Sequence, residues 1–526
     1  MRKVILLLLC IACNAVFGQY DKHSQWIIDE NQPVADLGNG YFKNPIIAGN
    51  LADPSLIRVK EDYYMIHGKG VNHAFILWHS KDLVNWKAVK KIPTGLNASP
   101  WAPDLVQVNG KYYIYVTATT YREDGTRSFA NYVYHADNIL GEWSAPVNLQ
   151  IKGLIDPGHL LAEDGKRYLF FEKGAVVELT KDGLSVIGEV QRDIYDGWDY
   201  PSEWAVECRC LEAPKLFYRH GYYYLISAMG GTHLPPTSHM AVVERSKNPL
   251  GPYKDAPNSP LIHTYYDSEG WWAQGHATLI EHTDGSWWAM YHGIENGHTD
   301  MGRQTLLLPV EWREDGWPVV KNHIKADAMI KKPTGENIGH GYKISDDFTS
   351  DVLGIQWNVS KNDLENIEVG NGKMTLKAKG TSYARAMKVS TRHINHNFEV
   401  SVELEIESNT VGGITLGGYG AGLKDGAPAF FNNEPYNAEA FKYSPVMFKG
   451  SRVQNVRNYE LEGWPDKHIH IKIRNENNTI VMHYSVDGIN WKPFARSFYT
   501  HSVTPHLFAY GEGKVVFKNF TYRGLD

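Results

Sequence analysis

The chain has 526 residues, 43% hydrophobic and 21% charged, with a formal net charge of -6. That length exceeds what a single hydrophobic core usually supports and predicts two or three domains. The charge balance offers no basic field for nucleic acid, whereas 16 Trp and 31 Tyr suit both strands and the faces of sugar rings.

Arg2 and Lys3, the apolar run from Val4 to Ala12 and then Val16-Phe17-Gly18 read as a secretory signal peptide over residues 1–18, which predicts export to the periplasm or the extracellular space. Cys13 as a lipid-anchor site is the weaker reading, because Cys10-Ile11-Ala12 matches that signal poorly. No later stretch reaches the roughly 18 apolar residues a membrane span needs. Beyond the leader only Cys208 and Cys210 remain, so no disulfide framework is expected. Two apart on a strand they would share a face with Glu212. Packed thiols are the expectation and a protected disulfide the alternative.

From about residue 35 to 325 short apolar strands alternate with polar turns, without sustained helical periodicity. One device recurs five times: a polar or acidic residue beside a Pro, an apolar strand, a reversing turn and an aromatic return strand. It begins at Asp53-Pro54, Ala102-Pro103, Asp156-Pro157, Glu212-Ala213-Pro214 and Gly275-His276-Ala277. A spacing of about 50–60 residues with a hairpin in every unit predicts propeller blades. The first strands of such blades run along a central channel, so their opening residues converge at one mouth. Asp53, Asp156 and Glu212 are thereby expected in one site. Alone, each is an ordinary turn opener; in register across a repeat they point to shared chemistry.

Within the first unit, Ser80-Lys81-Asp82-Leu83-Val84-Asn85 leads to an exposed-looking Trp86. Trp101 opens the second unit with an indole, either to stack on a sugar or to pack between blades. Most of His276, His282, His292 and His298 read as hydrogen-bonded structural residues. His276 differs because it opens a blade and so faces the channel. Arg303, a cation in an apolar strand, calls for a carboxylate or a ligand as partner.

These segments carry a resemblance. Asp53-Pro54-Ser55, Asp62-Tyr63-Tyr64-Met65, Ser80 to Trp86, Trp101-Ala102-Pro103, Ile155-Asp156-Pro157, Glu212-Ala213-Pro214, Gly275-His276, and Gly302-Arg303 leading to Asp315-Gly316-Trp317-Pro318 follow one another as in glycoside hydrolase family 43. That family resemblance implies a five-bladed β-propeller with Asp53 as general base, Glu212 as general acid and Asp156 as the carboxylate that raises and orients Glu212. It further implies a channel ion, commonly calcium, held through water near His276, and Arg303 near the terminal sugar. Two features depart from the pattern: Gly158 stands where Ser is common, and the insertion around Tyr195-Asp196-Gly197-Trp198-Asp199-Tyr200 precedes the acid.

The Lys, Pro, Gly and Asn content after residue 325 reads as a linker over 326–342. Beyond it Phe398, Val400, Val402, Leu404 and Ile406 alternate with polar residues, as do Ile469, Ile471 and Ile473, the period of half-buried strands. Residues 343–526 are expected to form a β-sandwich. Its opening, Asp346-Asp347-Phe348 to Trp357-Asn358, resembles the lectin-like, concanavalin-type jelly roll appended to many family 43 xylosidases. The expectation is thus an all-β, exported, exo-acting, inverting glycoside hydrolase that removes α-L-arabinofuranosyl or β-D-xylosyl units from plant-type oligo- or polysaccharides. The alternatives are a β-D-galactofuranosidase of the same family, a retaining propeller enzyme of the fructan-cleaving type and a non-catalytic sugar-binding propeller.

Overall fold

The structure, a computed structural model, describes residues 28–68, 74–96, 98–121, 126–416, 419–424, 427–431, 446–449, 452–455, 468–477, 479–498 and 503–526. The leader expected over 1–18, and Cys13 with it, lie outside the described residues. The chain divides into two compact units, one of Val34–Gly341 and one of Tyr342–Asp526 joined by the residues before Val34. No helix among the described residues is long and apolar enough to cross a membrane.

Among the described residues the first unit contains five antiparallel sheets of four or five strands, each built from consecutive strands. Sheet one holds Ala52–Val59, Asp62–Gly68, Ala74–Ser80 and Lys87–Pro93, and sheet two Ser99–Val108, Lys111–Tyr121, Arg127–Ala136 and Val147–Lys152. Sheet three holds Gly158–Leu161, Arg167–Phe171, Ala175–Leu179 and Val186–Gln191. Sheet four holds Glu212–Arg219, Tyr222–Met229, Met240–Ser246 and Lys254–Asp255, with Ile262–His263 also on its third strand. Sheet five holds Trp271–Glu281, Trp287–Glu295, Arg303–Trp312 and Pro318–Val320. The first strands touch in the order one, two, three, four, five and back to one, which makes the unit a β-propeller around a central channel.

Local sequence explains the hairpins. Asn109-Gly110 and His220-Gly221 both have positive φ at both residues (52° and 81°, 48° and 80°), as a two-residue turn matching strand twist requires. Each sheet is covered on both faces by its neighbours, so the core lies between sheets. Ile66, Leu77, Ile114 and Tyr134 pack sheets one and two, and Tyr115, Val133, Leu169 and Val177 pack sheets two and three. Burying each such side chain contributes about 1.5–3 kcal/mol. The ring is closed by the segment before sheet one, where Ile46 N donates to Thr305 O (2.8 Å) and Leu51 N to Arg303 O (2.8 Å).

Three expectations need correction. Trp86 is fully buried and donates Nε1 to Leu83 O (2.7 Å), because the Asp82 carboxylate ties the preceding turn back onto Val84 N and Asn85 N. The stretch expected as a linker is fastened to the propeller. Ile330–Lys331 pairs with Tyr41–Phe42, Lys332 Nζ reaches Asp36 Oδ2 (2.7 Å) and Asp82 Oδ2 (3.0 Å), and Gly341 N donates to Trp86 O (2.7 Å). Its anchors are single side chains and a two-residue bridge, which leave no periodicity to read. Cys208 and Cys210 form a disulfide, and they lie in irregular chain before the Glu212 strand, not on a strand.

The second unit is a β-sandwich of a seven-stranded and a five-stranded antiparallel sheet. Phe398–Ile406 sits between Lys514–Gly524 and His468–Glu476 and alternates buried and half-exposed residues as its sequence requires. Asp346 Oδ2 accepts Trp357 Nε1 (2.7 Å) and Gln356 Nε2 (2.9 Å), which ties the unit's opening segment into a clasp.

Candidate active site

Each first strand of the propeller opens with the same backbone irregularity. Asp53, Ala102, Asp156, Ala213 and His276 all take the left-handed conformation, with φ of 57°, 36°, 58°, 58° and 55°. In sheets one, two, four and five the pairing also slips by a residue there, between Ala52 and Ser55, Trp101 and Asp104, Glu212 and Lys215, and Gly275 and Thr278. Such bulges re-aim side chains that a regular pleat would bury between neighbours. Left-handed Ala and His cost about 1–3 kcal/mol each, a strain that recurs at functional sites.

Superposing the five openings refines the expected register. Asp53 and Asp156 occupy the left-handed position itself, whereas Glu212 stands one residue before it, where sheet two has Trp101. The acids are therefore not in one register, and Glu212 leaves its strand from a different point of the bulge. Gly158 also finds its reason: a Cβ there would lie 1.9 Å from Pro214 O, so only Gly lets sheet three approach the strand that carries Glu212.

Asp53 is 5% exposed and is gripped from several sides. Arg303 Nη1 lies 2.9 Å from its Oδ1, and His292 Nδ1 and His276 Nδ1 lie 3.2 and 3.3 Å from the same oxygen. Its backbone N–H donates to His292 Nδ1 (3.2 Å). Gly68 leaves room for the other oxygen, since a Cβ there would stand 2.8 Å from Asp53 Oδ2. Burial pushes the Asp53 carboxyl up, but the Arg303 guanidinium foremost outweighs it and holds it well below the usual carboxylate range. Burial keeps His276 neutral and lowers His292 to about 4, so at neutral pH the full positive charge on Asp53 is that of Arg303.

Asp156 and Glu212 are shifted the other way. Asp156, 5% exposed, is raised by burial first and then by the charges of Glu212 and Asp53. Glu212, half-buried, is raised to about 7 by burial, then by Asp53, against a lowering pull from Arg303. An ionised carboxylate and a protonated one within reach of each other's field can divide base and acid work between them.

The structure gathers Asp53, Arg303 and His276 in direct contact and places Asp156 and Glu212 within their field. Trp101 is half-buried at the opening of sheet two, with Phe129 at 5.7 Å between ring centroids and the Arg127 guanidinium 5.5 Å over its ring. Sequence reasoning set His292 among the structural histidines. Counting back from the turn at Asp284-Gly285 puts it opposite His276, and the bulge between Gly275 and Thr278 moves it to Gly275, in either case beside the channel opening. It also passed over Asp104 and Lys215, a buried pair at 2.8 Å across the channel. The signal was there: one anion and one cation, each two residues past an opening Ala in an otherwise apolar strand.

Comparison with known proteins agrees with this geometry. Residues 42–318 match the family model described as glycosyl hydrolases family 43. The chain is 31% identical over 346 residues to a non-reducing end α-L-arabinofuranosidase, BoGH43B, of Bacteroides ovatus, covering 62% of each protein. It is 28% identical over 356 residues to a β-xylosidase of Bacillus subtilis, covering 60% of this chain and 63% of that one. In both cases it spans less than two thirds of the relative's length. The crystal structure of the GH43 BlXynB protein from Bacillus licheniformis superposes with a TM-score of 0.76 at 26% identity, covering 92% of this chain and 99% of that one. With more than half of its length matched by that model, and with the propeller and its acids in place, this chain belongs to glycosyl hydrolases family 43.

Proposed function

We propose that the protein is an exo-acting, inverting glycoside hydrolase that removes α-L-arabinofuranosyl or β-D-xylosyl units from plant-type glycans or their oligosaccharides. The observation that carries this reading is the opposite displacement of Asp53 and Glu212, one held ionised and the other raised to about 7. Glu212 protonates the departing glycosidic oxygen while Asp53 takes a proton from the attacking water on the opposite face of the sugar. Asp156 keeps company with Glu212 and delays its ionisation. Arg303 fixes the charge of Asp53 and stands where the terminal sugar is bound. The names of the similar proteins, an arabinofuranosidase and a β-xylosidase, support the two sugars proposed.

The calcium implied by the resemblance fits in one way only. Asp53, His276 and His292 offer ligand atoms close to one another, but two are imidazoles and Arg303 already holds the Asp53 oxygen, a poor set for a cation that takes oxygen ligands. His276 Nε2 is buried without a hydrogen-bond partner among the described residues, which suits a water carried by such an ion. The ion would supply a fixed positive charge beside the acids.

A panel of nitrophenyl glycosides tests the sugar, with hydrolysis of the arabinofuranoside or xyloside expected. Proton NMR of the first-formed sugar tests the stereochemistry. Inversion requires carboxyl groups roughly 6.5–9.5 Å apart, and a retained anomer would make Asp53 a nucleophile.

A further inference from the structure

The insertion before Glu212 carries aromatic residues that the reaction itself does not use. Register shows where they stand. Glu212 pairs with Ala228, Met229 with Met240, and Met240 with His263, so the loop of residues 230–239 and the chain after His263 lie at the Glu212 end of sheet four. The insertion is fastened to that end. Glu207 Oε2 accepts His233 N (3.0 Å) and Leu234 N (3.4 Å), Glu207 N donates to Ser238 Oγ (2.9 Å), and Thr237 Oγ1 donates to Ala205 O (3.2 Å).

On this scaffold Trp204 stacks on His263 at 4.4 Å and 8°, the imidazole itself being fixed by Nε2 on Thr237 O (2.7 Å). Tyr265 meets both rings edge to face. Tyr265 and Tyr266 are 52% and 67% exposed, although their backbone N–H groups are tied to Glu269 Oε1 (2.9 and 3.2 Å). Rings exposed on an ordered backbone at the end of the sheet that carries Glu212 are a ready surface for the apolar face of a sugar. Glu207 adds the polar half: its Oε2 is engaged by backbone, its Oε1 has no hydrogen bond among the described residues and suits a hydroxyl, and it is near enough to Glu212 for its charge to raise that acid.

We propose that Trp204, Tyr265 and Tyr266, with Glu207, form a subsite for the sugar on the leaving-group side of the scissile bond. The side follows from the roles. Glu212 delivers its proton to the leaving oxygen, so the loop that runs directly into Glu212 borders the leaving sugar, while Asp53 and Arg303 address the opposite face. The inference rests on the glycosidase reading and deepens it, making an oligosaccharide with a ring beyond the cleaved unit the better substrate.

The test compares xylotriose or arabinotriose with the matching glycosyl fluoride, whose leaving group places nothing in the subsite. Tyr266→Ala, at a side chain with no ring contact, hydrogen bond or ion pair among the described residues, and Trp204→Ala, with Trp204→Phe as the conservative partner, are measured on both. KM for the trisaccharide is expected to rise about five- to tenfold in the Ala variants, with partial recovery in Trp204→Phe and glycosyl fluoride kcat/KM within about twofold of the parent. Equal losses on both substrates, or an unchanged trisaccharide KM in Tyr266→Ala and Trp204→Ala, overturn the subsite. A parent enzyme that cleaves neither substrate removes the glycosidase reading and the subsite with it.

Discussion

The channel holds two layers of polar residues two or three positions apart on the same strands, and they are handled in opposite ways. In the deeper layer Lys215 Nζ bonds Asp104 Oδ1 (2.8 Å) and Pro103 O (3.1 Å), Ser55 Oγ donates to Asp104 Oδ1 (3.1 Å), and His159 N donates to Asp104 Oδ2 (2.8 Å). Thr278 Oγ1 completes the ring on Pro54 O (2.9 Å). Every sheet of the propeller is stitched there, and the one anion has its cation. In the layer above, Arg303 is bonded to Asp53, and burial raises Asp156 and Glu212 with no cation bonded to either among the described residues. Similar strands thus give a fastening where charge is neutralised and a pair of raised carboxyls where it is not.

The largest effects should separate the layers by what each variant loses. Glu212→Ala is expected to lower kcat/KM on oligosaccharides by about 10²–10⁴-fold while costing far less on glycosyl fluorides, whose departure needs little protonation. Its thermal unfolding should stay close to that of the parent. Lys215→Met should do the reverse, leaving Asp104 buried without its cation and destabilising the fold by about 3–5 kcal/mol in chemical denaturation. Adding Asp104→Asn should return part of that loss. A Lys215 variant of unchanged stability would dissolve the distinction between the layers.

Much of this was legible in the sequence because the repeat is written in turn chemistry. Asp53-Pro54 and Asp156-Pro157 announce their position through residue types that a left-handed bulge and an abrupt strand start select. Glu212 was found by the same route, but its one-residue offset was not, since Ala213 carries the left-handed backbone without any side-chain signature. Arg303 was flagged as a cation in need of a partner without any way to name Asp53, which lies 250 positions away in the chain. The fastening of residues 326–341 escaped for a related reason: one lysine between two aspartates has no local pattern.

A smaller effect tests the contact between sheets three and four. Gly158→Ala sets a Cβ against Pro214 O and C, backbone atoms that cannot turn aside. Overpacking of this kind costs about 1–3 kcal/mol, and the strand that yields is the one opening with Glu212. Activity on oligosaccharides should therefore fall further than on glycosyl fluorides, with melting temperature lowered by calorimetry. Unchanged melting would mean that the sheets separate freely there and that the glycine serves some other need.

The finest test is Asp156→Asn, which keeps the volume and removes the titration. Burial is the first cause of the raised Glu212, and Asp53 the next, and both stay in place. The basic limb of the pH profile, set near 7 by Glu212, should accordingly move to lower pH by no more than about one unit, because only the electrostatic coupling between the two carboxyls is lost. Stability should change in the opposite sense. Asp156 is raised well above 3.8 in the folded protein, so from that pH upward the unfolded chain ionises it while the folded protein still holds its proton, and stability falls until the folded carboxyl also ionises. Asn escapes this penalty, and the variant should melt higher than the parent at pH 7 and no higher at pH 3. A variant less stable at pH 7, with the basic limb unmoved, would show Asp156 to be paired like Asp104, and the two layers to be alike after all.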